Sequence, residues 1–137
     1  MFTISARNRR ALLSGSDLLV AAGFSLRYKI KMAVTTDLAI EIVKRYIQEL
    51  KKNNIPILEA IIFGSYAKGN PKEESDIDVA LISTAFTGDR FEDRRKIVPL
   101  RRNIDSRIEP IPFRPEDFYN GGNFADEIKK TGMAINI

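Results

Sequence analysis

One stretch of the chain combines the residue types that handle phosphate groups and metal ions. Gly64 and Ser65 follow an apolar, β-prone run, and Asp76 and Asp78 introduce a second such run. A glycine lets the backbone approach a phosphate closely, and the turn N–H groups and the Ser65 hydroxyl are suitable donors. Side chains alternate along a strand, so both aspartates share one face, where their repulsion favours a divalent cation between them. The pattern predicts a combined phosphate and metal site.

The order Gly-Ser, ten residues, Asp-x-Asp resembles the signature of the polymerase-β nucleotidyltransferase superfamily. The resemblance extends from residue 32 to the C-terminus and is to the minimal members, the MNT domains of MNT/HEPN toxin-antitoxin pairs. It implies a nucleoside triphosphate held by Gly64 and Ser65, and two Mg²⁺ ions held by Asp76 and Asp78. Further residues placed near the nucleotide are Lys68, Lys72 and Ser75; the lysines either neutralise phosphate charge or are solvated, and Ser75 ties down the loop.

A third carboxylate on a later strand is implied by the same resemblance. Residues 104–109 are predicted to form this strand, on which Asp105, Arg107 and Glu109 share one face. The segment resembles the I-D-x-R strand of DNA polymerases in the superfamily. This likeness implies that Asp105 is the third metal ligand and the acceptor-side base, supported by Arg107. Glu109 is the rival, since it lies on the same face near the expected strand end, where Pro110 is predicted to stop pairing.

Composition excludes several other kinds of chemistry. The chain has 137 residues, which suits one domain with one hydrophobic core. It contains no cysteine and no histidine, which excludes disulfides, thiolate or imidazole metal sites, and Ser-His or Cys-His catalysis. Carboxylates are the strong metal ligands that remain. No apolar run approaches the length of a membrane span, so a cytoplasmic protein without membrane contact is expected.

The positive charge is concentrated at the start of the chain. Residues 1–31 carry six basic groups and one acidic group, whereas residues 32–137 carry 16 basic and 17 acidic groups. We interpret residues 1–31 as an N-terminal extension, disordered or loosely helical, upstream of a start at Met32; an organellar transit peptide is the alternative. Residues 32–137 are the predicted nucleotidyltransferase domain. Their balance of −1 argues against nucleic acid as a direct ligand.

The hydrophobic pattern predicts an α/β (α+β) domain, in which helices pack on a small mixed central sheet of three to five strands. Helices are expected over 36–53, capped by Thr35 or Thr36, over 65–68, over 89–102, bent or ended early by Pro99, and over 124–131. Strands are expected over 57–63, from the aspartates to 82, over 104–109 and over 133–137. Residues 113–120 are expected to form an irregular segment with one helical turn. In the charged helix, the inward residues are predicted to be Phe91, Ile97, Val98 and Leu100. Its arginines, which either line an acceptor site or, as we favour, form a solvated face, are Arg94, Arg95, Arg101 and Arg102.

The resemblance implies a function as well as a fold. An Mg²⁺-dependent enzyme is expected, which transfers a nucleoside monophosphate, AMP from ATP, to an acceptor hydroxyl. The small size is similar to antitoxin-like MNT enzymes, which implies a small helical HEPN-type partner protein as acceptor. One alternative is a catalytically silent module that binds nucleotide or masks a toxin. Another is a nucleic-acid-binding subunit, against which the charge balance of residues 32–137 argues.

Overall fold

The computed structural model describes the backbone of residues 23–69 and 76–137, and the side chains of residues 35–69 and 76–137. The chain divides into two compact units, Met1–Val34 and Thr35–Ile137. Most of the predicted extension lies outside the described residues, so its character stays a prediction. Within the described ranges, no helix is both long and apolar enough to cross a membrane.

Helix α1 begins earlier than the sequence pattern predicts. It spans Gly23–Lys52, so neither Thr35 nor Thr36 is an N-cap, and that expectation is wrong. No proline or glycine follows Gly23 within this range, and the helix therefore continues through both threonines. Its end is close to the expected one, because Asn54 adopts a left-handed conformation, with φ 65°, in the turn that follows.

In the part of the chain that the structure describes, four strands form the sheet, in the order β3-β2-β1-β4. Strand β1, Glu59–Phe63, lies antiparallel to β2, Ile77–Ile82. Strand β3, Ile108–Phe113, lies parallel to β2, and the short strand β4, Met133–Ala134, pairs antiparallel with β1. The predicted mixed sheet of three to five strands is confirmed.

Both faces of β2 are covered, and the alternation of its side chains explains how. Ile77, Val79 and Leu81 are fully buried against the second half of α1. Ala80 and Ile82 point to the opposite face, where they pack under two short C-terminal helices. These are α4, Pro115–Tyr119, and α5, Asn123–Thr131. Asp76 and Asp78 are even-numbered like Ala80, so their side chains lie on the same face of the sheet as Ala80. Helices α4 and α5 cover this face at Ala80 and Ile82.

The charged segment after β2 forms a short helix and then a 3₁₀ helix. Helix α3 spans Arg90–Ile97, its cap Asp89 accepts hydrogen bonds from two backbone N–H groups, and the 3₁₀ helix spans Val98–Asn103. The early end at Pro99 is therefore confirmed. Phe91 is 71% exposed, which contradicts its predicted inward position. Ile97 is buried as predicted, and Asp93, one turn before it, lies on the same buried face of α3.

Strand β3 lies later in the chain than predicted. It begins at Ile108 rather than at residue 104, and Pro110 does not end it, because Pro110 and Pro112 both lie inside the strand. The sheet order makes β3 an edge strand, which explains this tolerance. Ile77 donates to the carbonyl of Arg107, and Ser83 donates to that of Phe113, so the odd-numbered residues bond β2. Pro110 and Pro112 have the other parity, and their missing N–H groups face away from the sheet.

Candidate active site

A tight turn brings the end of β1 against the start of β2. Gly64 follows β1 with φ 78° and ψ −146°, a backbone conformation that residues with a side chain rarely adopt. The residue before Gly64, Phe63, is paired with Asp78 in the antiparallel register of β1 and β2. A Cβ atom on residue 64 would overlap Asp78 Oδ2 and would lie 3.3 Å from Asp78 Cγ. Glycine is therefore required here both by the backbone angle and by the carboxylate of Asp78.

The predicted short helix after this turn is present. Helix α2 spans Ser65–Lys68, and it ends at Gly69, which is left-handed with φ 79°. Tyr66 is buried, whereas Lys68 is exposed and Ser65 is half-buried at the first helical position. Lys72 and Ser75 lie outside the described residues. The described part of the predicted nucleotide site thus consists of the glycine turn, Ser65 and the exposed Lys68.

Asp76 and Asp78 differ in their surroundings although they share one face. Asp76 is exposed and precedes β2, while Asp78 is half-buried inside the strand. Burial raises the pKa of Asp78 above its ordinary value, and the negative charges of Asp76 and Glu109 raise it further. The site therefore holds negative charge that a cation would stabilise.

Glu109 is the neighbour of Asp78 on the adjacent strand. The parallel register pairs Asp78 with Glu109, so their side chains leave the sheet on the same face. The effect of Glu109 on the pKa of Asp78 supports this proximity. Of the two residues considered as third carboxylate, Glu109 is the one that the fold places beside Asp78.

Asp105 lies in a turn before β3, which corrects its predicted place on the strand. Its carboxylate accepts three hydrogen bonds from Arg107: from the backbone N–H at 2.8 Å, from Nε at 3.0 Å and from Nη2 at 2.9 Å. These bonds lower the pKa of Asp105, and the charge of Arg45 lowers it further. The charges that act on Asp105 are those of arginines rather than of the other acids. Arg107 and Asp105 together close the turn that leads into β3.

Two arginines expected on a solvated face contact β3 instead. Arg94 Nη2 lies 2.6 Å from Glu109 Oε1, and Arg94 Nη1 donates to the carbonyl of Pro110 at 2.6 Å. Arg101 Nη1 donates to the carbonyl of Ile108 at 2.6 Å and lies 3.9 Å from Glu109 Oε2. Arg95 and Arg102 are exposed, as predicted for a solvated face. The pairing of Arg94 was missed because it depends on how α3 packs beside β3.

The described carboxylates have the chemistry that a hard divalent cation needs. Asp78 and Asp76 repel each other, and oxygen ligands are those that Mg²⁺ prefers. Within residues 35–69 and 76–137, however, no three acidic side chains converge closely enough to bind a metal ion. Two aspartates thus fit such an ion in residue type and charge, while Glu109 is paired with Arg94.

A close-approach glycine lies in the turn between a strand and a short helix, and the next strand has one acid directly before it and a second acid inside it on the same face. This arrangement is that of a nucleotidyltransferase-type domain. Comparison with known proteins agrees with this class. The family described as "Nucleotidyltransferase domain" matches residues 42–130. The chain belongs to this nucleotidyltransferase family, and its features are those of a polymerase-β-like MNT domain.

Two individual proteins are similar to this chain. A protein of Methanocaldococcus jannaschii named "putative protein adenylyltransferase" is 30% identical over 105 residues, which cover 70% of this chain and 97% of that protein. A crystal structure of a "putative nucleotidyltransferase" from Sulfolobus solfataricus has a TM-score of 0.57 and 17% identity, and the match covers 75% of this chain and 84% of that one. This second likeness supports the fold.

Proposed function

We propose that this nucleotidyltransferase transfers AMP from ATP to a hydroxyl group of a partner protein, with Mg²⁺ bound by carboxylates. The observation that carries the proposal is the approach of Gly64 to Asp78, in a site where Asp76 and Glu109 add negative charge. The similar protein from M. jannaschii, whose name includes protein adenylyltransferase, supports the reaction type.

The residues of the site have distinct tasks in this proposal. The turn at Gly64 and the hydroxyl of Ser65 bind the phosphates, and Lys68 offsets their charge. Asp76 and Asp78 would hold Mg²⁺, with Glu109 rather than Asp105 as the third carboxylate because it lies beside Asp78. Bound Mg²⁺ neutralises phosphate charge and polarises the reacting phosphate.

The transfer exchanges the phosphoanhydride bond between the α- and β-phosphates of ATP for a phosphodiester bond to the acceptor. The acceptor oxygen bonds to the α-phosphorus, the bond from that phosphorus to the bridging oxygen breaks, and pyrophosphate leaves. The proton of the acceptor hydroxyl passes to a carboxylate of the site. No oxidant or reductant is needed.

A protein acceptor is favoured over a polynucleotide by charge. Residues 32–137 have 16 basic and 17 acidic groups, which does not provide the excess of positive charge typical of polynucleotide binding. The relative from M. jannaschii is covered over 97% of its length, so the match takes in nearly all of a protein with that name. We propose a small helical HEPN-type protein as the partner, with the enzyme acting as its antitoxin in the cytoplasm.

The test uses ATP labelled on the α-phosphate, Mg²⁺ and a lysate that contains the candidate partner. We expect label on a protein, together with release of pyrophosphate, and loss of both in Asp78→Asn. Asp37→Asn, at an exposed position of α1, is the matched control and should label as wild type does. Binding of ATP without label or pyrophosphate would instead support the silent binding module. Label on polynucleotide would show that the acceptor class is wrong.

A further inference from the structure

Two arginines donate hydrogen bonds to backbone carbonyl groups at the outer edge of β3, on either side of Glu109. Arg101 binds the carbonyl of Ile108 and Arg94 binds that of Pro110, each at 2.6 Å. These carbonyls belong to residues whose polar groups face away from β2, and an edge strand leaves such groups without a strand partner. The guanidinium groups therefore bind polar groups of an edge that pairs with no further strand among the described residues.

The guanidinium of Arg94 that binds the Pro110 carbonyl also binds the carboxylate of Glu109. Its Nη2 atom lies 2.6 Å from Glu109 Oε1, while its Nη1 atom is occupied by Pro110. The two side chains are 30% and 35% exposed, so solvent screens this pair less than a fully exposed one. The guanidinium is planar, so the bond from Nη1 to the Pro110 carbonyl fixes the direction from which Nη2 approaches the Glu109 carboxylate.

Glu109 is thus subject to two opposing interactions. The parallel register places it next to Asp78, on the face that carries the two aspartates. Its oxygen is nevertheless bound by Arg94, and in the described part of the chain no three acids converge for a metal ion. Pairing with an arginine lowers the cost of placing a third carboxylate beside two others.

We propose that Arg94 is a positioning residue, which holds Glu109 at the edge of β3 in the metal-free protein and competes with the divalent cation for it. The inference rests on the proposed function, because it assumes the carboxylate metal site described above. Arg94 occupies Oε1 of Glu109, so binding of the cation through this oxygen requires that the bond between Arg94 and Glu109 be broken. The cost of breaking it is subtracted from the affinity of the site for the cation.

The experiment measures Mn²⁺ binding by calorimetry on the full chain without nucleotide, so turnover is not needed. Arg94→Met removes the guanidinium that competes with the metal ion for Glu109, and we expect Mn²⁺ to bind about tenfold tighter. Arg95→Met is the matched control: Arg95 is the next residue, it is exposed and it pairs with Glu92, and its loss should leave the affinity within about twofold. In the double variant Arg94→Met, Glu109→Gln the gain should disappear, because the released carboxylate is absent.

A second variant covers the possibility that Arg94→Met fails to fold after losing the bond to Pro110. Arg94→Lys keeps one charge and loses the fork, and a smaller gain in affinity is expected. Unchanged or weaker Mn²⁺ binding in folded Arg94 variants overturns the proposal while the metal site stands. Absence of Mn²⁺ binding in both the wild type and folded Arg94→Met overturns the metal site and this inference together. Loss of wild-type binding in Asp78→Asn, with Arg94 variants unchanged, therefore separates the two failures.

Discussion

Gly64 and Asp78 face each other across the end of the β1–β2 pair, so closely that a Cβ atom at residue 64 would overlap the carboxylate oxygen Oδ2 of Asp78. The turn and the acid therefore depend on each other. The backbone at Gly64 has φ 78°, which adds conformational strain to the steric conflict for any larger residue.

Gly64→Ala should reduce both stability and transfer. We expect a loss of about 1–2 kcal/mol in the free energy of unfolding, because alanine is strained at this φ. We also expect at least a tenfold loss of kcat/KM, because Asp78 must move away from the new methyl group. Chemical denaturation and single-turnover kinetics measure the two effects. Gly122→Ala is the control, since a Cβ there meets no atom within 4 Å; equal effects in both variants would contradict the argument.

Asp78→Asn should stabilise the metal-free protein at neutral pH. The pKa of Asp78 is raised on folding, chiefly by burial, so the folded state binds this proton more tightly than the unfolded state does. Its stabilising contribution is present below the ordinary pKa of 3.8 and is lost as the pH rises through the folded value. Ionised Asp78 therefore destabilises the fold at pH 7, and asparagine removes that cost. Urea denaturation at pH 7 and at pH 3 should show a gain at pH 7 that diminishes at pH 3.

The two candidates for the third carboxylate should respond differently to amidation. Glu109→Gln should weaken Mn²⁺ binding, because it removes a negative charge beside Asp78. Asp105→Asn should leave Mn²⁺ binding within about twofold and should instead destabilise the fold by about 1 kcal/mol, because it weakens the turn with Arg107.

The pH dependence of Asp105→Asn provides a separate check. The pKa of Asp105 is lowered on folding, so its stabilising contribution is present above the ordinary value of 3.8 and is lost as the pH falls through the folded value. The destabilisation by asparagine should accordingly be largest at neutral pH and smallest in acid. A loss of Mn²⁺ affinity in Asp105→Asn equal to that in Glu109→Gln would return Asp105 to the metal site.

Loss of Asp93, the buried acid among the described residues, should strongly disturb the fold. It is 1% exposed, and its carboxylate accepts hydrogen bonds from the backbone and hydroxyl of Thr87 and from the backbone of Gly88. Asp93→Ala leaves these donors without partners, so we expect a loss of about 2–4 kcal/mol, measured by thermal or chemical unfolding. The neighbouring Glu92→Ala, which removes an exposed pair with Arg95, should cost less than about 1 kcal/mol. Similar losses in the two variants would show that the bonds of Asp93 contribute little.

Local pattern was a good guide where the interactions are local. The turn at Gly64 and helix α2 depend on the positive φ of Gly64 and Gly69, and they occur where predicted. Helix α5 also ends where predicted, at Thr131 before Gly132. The start of α1 was misplaced because threonine is only a weak signal against a continuing helix. The prolines at 110 and 112 were a usable signal: missing N–H groups at alternate positions are typical of an edge strand.

The sequence by itself determined the chemistry that this chain offers: a glycine turn for phosphate, and two aspartates on one strand face, in a chain without histidine or cysteine. The match to the nucleotidyltransferase family, over residues 42–130, includes these residues. Only the tertiary structure decided which later acid lies beside Asp78, and that Arg94 binds it. Glu109 lies beside Asp78 because of the register of two parallel strands, which a long crossover joins. Arg94 binds Glu109 because α3 packs on the edge of the sheet. Both contacts are non-local, and the spacing of residues along the chain does not specify them.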